Sequence, residues 1–169
     1  MTPVFDEFLS TVFPDFESRK TVLSFIGGCC SNVPGYYFKK ALYLYPAHSD
    51  DYSGIDTLKA VMEMLLGKSF VPVEKRQLKD VELLGKRLIF VSGIKSLNCF
   101  DIQRIRYLTT RTNFETGLYT GFLCLSGTSR KDLKFTESRK KVAMCGDLRE
   151  LFYERVIPIA VTPLRKNSI

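Results

Sequence analysis

The stretch ALYLYPAHSDDYSGIDTLKAVMEMLLG, residues 41–67, decides how the chain folds. Its first five residues are apolar or aromatic and stand between turn-forming neighbours, the pattern of a short strand buried on both faces. A polar loop follows. Beyond Gly54, the residues Leu58, Val61, Met62, Leu65 and Leu66 recur at i, i+3, i+4, i+7 and i+8, which predicts an amphipathic helix stopped by Gly67. The unit is strand, loop, helix.

Three further apolar runs predict strands: residues 87–92 (RLIFVS), 121–125 (GFLCL) and 156–161 (VIPIAV). Helical spacing separates them. Ile102, Ile105 and Leu108 form one such series, and Leu148, Leu151 and Phe152 another. Two helices lead the chain. Val4, Phe5, Phe8, Leu9, Val12 and Phe13 recur until Pro14 ends the first, Asp15 can cap the second, and Asn32, Pro34 and Gly35 break that one after Cys30. The expected architecture is α/β, a largely parallel sheet flanked by helices. An N-terminal helical segment, residues 1–35, precedes one compact unit, residues 36–169; no repeat, low-complexity tract or linker divides the chain.

A chain of 169 residues, 45% of them hydrophobic, suits a single core. No stretch approaches the ~20 apolar residues of a membrane helix, and Asp6 and Glu7 stand where a secretory signal would carry Lys or Arg. The expectation is an intracellular chain without membrane contact. Five cysteines, an odd number with no C-x-x-C pair, fit a reducing compartment, and Cys29 and Cys124 read as small buried hydrophobes. No metal site is expected. The net charge of +7 favours a polyanionic partner.

In such a fold a phosphate would bind in the loop between the first strand and its helix, residues 46–56. A working phosphate loop, G-x-x-x-x-G-K-[ST], needs glycines so that backbone N–H groups can cradle phosphates, a Lys on the terminal phosphates and a hydroxyl on magnesium. Here Ser49 takes the first glycine position, Gly54 the second, Ile55 that of the lysine and Asp56 that of the hydroxyl, with Thr57 following. A carboxylate ~4 Å from a phosphate costs about 4 kcal/mol at an effective dielectric of 20, and Asp50 and Asp51 add to it. Each ~1.4 kcal/mol is tenfold in affinity, so nucleotide in the ordinary pose is not expected. Asp56 has a plainer role, satisfying free N–H groups and the dipole at the helix N-terminus. His48, the only histidine, lies in this acidic loop, and no nucleophile, carboxylate pair or dinucleotide fingerprint accompanies it. No catalytic residue, cofactor or metal is assigned.

The run from Phe5 to Pro163 resembles a superfamily 3 helicase domain of the viral and phage primase–helicase type, a branch of the AAA+ ATPases. The resemblance is carried by FDEFLSTVFPDFESRKTVLSFIGG, KALYLY, GIDTLKAVMEMLLG, LLGKRLIFVS, IRYLTTR, GFLCLSG and FYERVIPIAV, in that order and spacing. It implies a P-loop AAA+-like fold, hexameric rings and ATP-driven translocation along single-stranded DNA, in the replication of viral or mobile-element DNA. Pro46, Ala47 and His48 look like extra loop length compared with that family.

The family's working positions are replaced one by one. Where it places an acidic residue after RLIFVS this chain has Gly93, and where it places a γ-phosphate-sensing asparagine it has Ser126 and Gly127. Arg155 occupies the position resembling the arginine finger, although an Arg before a strand serves equally as a surface or ion-pair residue. Losses in separate segments imply an abandoned site, a pseudo-ATPase rather than an enzyme.

The family's pore hairpin corresponds to residues 109–119. Arg111 would meet phosphate, Phe114 or Tyr119 would stack on bases, and Asn113 and Gly117 would turn the chain. Arg104 and Arg106 precede it, and Arg130, Lys131, Lys134, Arg139, Lys140 and Lys141 follow. Core packing is the competing role for Phe114 and Tyr119. The leading expectation is a catalytically inactive helicase-like platform for single-stranded DNA or a replication protein. An active NTPase with an altered site is the alternative, and a structural module that self-associates or packs through a helicase-like interface, without DNA, is a third.

Overall fold

The computed structural model describes residues 3–35, 38–48, 50–80, 85–110, 119–136 and 147–164. Helices α1 (Pro3–Val12) and α2 (Phe16–Cys30) lead into β1 (Ala41–Pro46). There follow α3 (Ser53–Leu66), a 3-10 turn (Gly67–Ser69), β2 (Phe70–Glu74) and a second 3-10 turn (Lys75–Asp80). Then come β3 (Leu88–Ile94), the short β4 (Ser96–Leu97) and α4 (Cys99–Thr109). The chain continues through β5 (Phe122–Gly127), β6 (Lys134–Phe135), α5 (Leu148–Arg155) and β7 (Val156–Val161).

Five strands form one parallel sheet in the order β2-β3-β5-β1-β7. Side chains on successive strand residues point to opposite faces, so each strand serves two cores. Leu42 and Leu44 of β1, Leu88 and Phe90 of β3 and Cys124 of β5 pack with α1, α2 and α3. Their neighbours Tyr43, Ile89, Val91, Leu123 and Leu125 pack with α4 and α5. Apolar residues on both faces are what make these strands continuous hydrophobic runs rather than alternating ones. Cys29 and Cys124 lie in the first core, where burial pushes both thiols up and keeps them neutral.

The structure adds a strand that the apolar runs do not announce. FVPVE carries a proline in its middle, which argues against a central strand, yet β2 is at the sheet edge, where no outer neighbour asks for the missing N–H. β7, at the other edge, has Pro158 in the same kind of place. Each proline removes one N–H that a further strand could use. Pro46 also belongs to β1, opposite Val161, so the loop after β1 starts at Ala47.

The chain leaving β1 crosses one face through α3 to reach β2, whereas the chain leaving its neighbour β5 crosses the other face through α5 to reach β7. Connections that part in this way open a crevice at the carboxyl ends of the two strands.

Candidate functional site

The crevice is bordered by the loop after β1, the N-terminus of α3 and the segment after β5. Among the described residues it is already occupied by protein. Ala47 N donates to Val161 O at 2.9 Å, and Leu164 N donates to Ser53 Oγ at 2.8 Å, so the chain beyond β7 is laced across the start of α3. A Cβ at Gly54 would sit 2.5 Å from the Thr162 carbonyl oxygen. Gly54 is therefore explained by backbone contact without any phosphate.

Ile55, at the lysine position, is 2% exposed and belongs to the core between α1, α2 and α3. Asp56 is exposed in the first turn, and its N–H already bonds to Tyr52 O at 2.8 Å. The expected capping role of Asp56 is corrected: the N-cap position is Tyr52, which makes no side-chain cap bond, and the carboxylate that meets a free N–H at this helix start is that of Asp51, accepting from Ser53 N at 3.0 Å. Thr57 turns its hydroxyl back onto Ser53 O at 2.8 Å. Ser49 lies outside the described residues.

Carboxylates from separate segments act on this crevice. Burial, and after it the charges of Asp50, Asp132 and Asp56, push the Tyr52 phenol above its ordinary value. Asp132 comes from the segment after β5 and could not be placed by spacing alone. Among the described residues no group of three or more His, Cys, Asp or Glu side chains is arranged to hold a metal ion.

Gly93 has φ of 74° at a shift of register between β3 and β5, so a left-handed bulge accounts for the glycine. Ser126 is buried, with its hydroxyl 3.4 Å from Val91 O, and a Cβ at Gly127 would collide with the Ile94 carbonyl. Lys59, one helical turn beyond Ile55, donates to Ser92 Oγ at 3.3 Å and lies 5.8 Å from the Phe90 ring centroid. Arg155 ends α5 just before β7, at the opposite edge of the sheet. It lines a cleft of about 260 Å³ between α4 and α5 together with Arg106.

The basic candidates are spread over more than one surface. Arg104 donates Nε to Leu78 O at 3.3 Å and covers the Tyr107 ring, whereas Arg106 faces the α4–α5 cleft. Lys131 and Lys134 are exposed beyond β5. Tyr119, considered for base stacking, is corrected: it is 6% exposed and its hydroxyl donates to Phe122 O, so its ring serves the core. Arg111 and Phe114, with Asn113 and Gly117, lie outside the described residues, as do Arg139, Lys140 and Lys141. Among the described residues no helix is long and apolar enough to cross a membrane. Comparison of the sequence with known protein families and with curated proteins finds no match.

Proposed function

We propose that the chain is a catalytically inactive, superfamily 3 helicase-like domain of the P-loop AAA+ type. It acts in DNA replication as a platform for single-stranded DNA or a replication protein. The observation that carries this is the crevice after β1. It has the strand–loop–helix position of a phosphate site, yet Ile55 is in the core and the charges of Asp50, Asp132 and Asp56 all act on Tyr52. Phosphates brought there would meet like charge and no Lys or Arg at the loop. The excess of cations over acids, +7, supports a polyanionic partner for a protein freed from nucleotide chemistry.

Titration calorimetry with ATP and magnesium, beside filter binding of single-stranded DNA at two salt concentrations, tests the proposal. The expected result is heat-silent ATP and salt-sensitive DNA binding. Micromolar ATP affinity would favour an altered but working site, for which Lys59 beside Ser92 is the supporting observation. Absence of both activities would favour a structural module.

A further inference from the structure

We infer that the groove between the 75–80 turn and α4 is a site for single-stranded nucleic acid, an assignment that rests on the platform proposed above. The groove measures about 730 Å³ and is lined by Lys75, Arg76 and Arg104, with the rings of Phe100 and Tyr107. Among the described residues one carboxylate, that of Asp101, lines it, and Glu74 pairs with Arg76 at 3.0 Å in an exposed ion pair that a phosphate can replace.

Its residues are presented rather than merely exposed. α4 buries Cys99, Ile102, Ile105 and Leu108 against the sheet, which turns Phe100, Arg104 and Tyr107, spaced i, i+4 and i+7, to the outer face. Phe100 is 60% exposed, so the core does not account for this ring. The Arg104 guanidinium lies 5.2 Å from the Tyr107 ring centroid, and its Nε bond to Leu78 O fixes the 75–80 turn as the opposite wall. Lys75 is held by Asp101 at 3.3 Å and by Ser96 O at 2.8 Å. Ser96 is the ladder partner of Lys134, an exposed residue of β6.

Phe100 and Tyr107 stand ~10 Å apart along the helix at 1.5 Å per residue, a distance covered by about three stacked nucleotides at 3.4 Å each. Rings reached by bases, with guanidinium and ammonium groups between them for phosphates, are the recurring means of holding a single strand without sequence preference. A duplex keeps its bases stacked on one another and would leave the rings unused. An acidic peptide would use the cations but gives no role to Phe100.

Fluorescence anisotropy of labelled oligothymidylate and oligouridylate with the full chain tests this, with circular dichroism to verify the fold of each variant. Phe100→Ala, at an exposed position, is expected to weaken binding roughly 5- to 100-fold while leaving the salt dependence unchanged. Arg76→Gln is expected to flatten the log–log salt slope by about 0.7, one phosphate contact. Either oligonucleotide binding in this way supports the groove, and preference between them identifies DNA or RNA as the source. If both variants bind like the parent while Arg111→Ala loses binding, the groove is overturned and the platform stands. If neither oligonucleotide binds at low salt, the groove assignment and the DNA-binding form of the platform both fail, and binding of oligoglutamate in their place would assign the groove to an acidic protein partner.

Discussion

Arg87 donates from Nη2 to the carbonyl oxygen of Gly28 at 2.9 Å, across 59 residues of chain. The same guanidinium reaches Val33 O at 2.7 Å, Cys29 O at 3.3 Å and Thr120 O at 3.1 Å, and it lies 5.5 Å from the Phe122 ring centroid. Carbonyls at a helix end have no partner within the helix, and a cation there also meets the negative end of the dipole. Arg87 thus closes α2 and fastens it to the residue that leads into β5. Replacing it by Met removes the donor to the carbonyls of Cys29 and Val33, whereas Gly28 O keeps the Ser31 N–H and Thr120 O keeps the Gly35 N–H, so the expected loss is about 1–2 kcal/mol in urea unfolding. Arg87→Lys should lose much of the same, since one ammonium cannot spread over four acceptors. A loss below about 0.5 kcal/mol for both, the usual size of a neutral surface change, would contradict this role.

Asp51 and Asp56 separate two uses of a carboxylate near a helix start. Asp51 accepts the Ser53 N–H, whereas Asp56 is exposed and contributes only through the dipole. Asp51→Ala is expected to cost about 0.5–2 kcal/mol. Asp56→Ala should stay within about 0.5 kcal/mol, offset in part by relief of repulsion around Tyr52. Thermal melts of the two variants side by side decide the order, and the reverse order would make Asp56 the carboxylate that supports the helix start.

Asp15 supplies a pH signature. Its carboxylate accepts the Ser18 N–H at 2.9 Å and the Ser18 hydroxyl at 2.8 Å, and these bonds, the backbone one first, lower its pKa. A depressed folded pKa means stability that is present above the unfolded value and is lost as pH falls through the folded one. Asn at this position caps without titrating. The melting temperature of the parent minus that of Asp15→Asn should therefore be constant near neutrality and fall below about pH 4, where the unfolded carboxyl begins to bind its proton. A difference that does not move with pH would remove the charge from the account of this cap.

Four of the five sheet strands are legible in the sequence because burial on both faces makes each a continuous apolar run. β2 is not, since a half-exposed edge strand with Pro72 has neither that run nor a clean alternation. α3 begins at Ser53, earlier than its apolar repeat suggests, because Gly54 is buried by the chain after β7, while Ile55 joins the buried stripe of Leu58 and Met62. That residues 49–56 lack a Lys and a glycine at the first loop position is legible too, as these positions lie within eight residues of one another. Asp132, Lys59 and the groove of Phe100 with Lys75 are not, because folding alone brings residues that distant together. The stretch the sequence favours for DNA, around Arg111, lies outside the described residues, and the structure draws attention to α4 instead.

Ile55→Lys is the substitution that would seem to mend the loop, and we expect it to fail twice. The side chain at this position packs among Leu58, Met62, Val12 and Val161 in the first core, so an ammonium placed there is desolvated without a partner. An uncompensated buried charge costs about 3–5 kcal/mol unless the amine deprotonates or its stem turns outward to water. If it does turn outward, it enters the crevice beside Asp50, Asp56 and Asp132, which would pair with it in place of a phosphate. Either way ATP affinity should remain undetectable by calorimetry, and no phosphate should be released, because Gly93 and Ser126 still offer nothing for the metal or the γ-phosphate. Urea unfolding tells the two routes apart, since only the buried amine lowers stability by that amount. Measurable turnover in this single variant would mean that the nucleotide site is one residue from working, and the chain would then have to be regarded as an altered ATPase rather than an abandoned one.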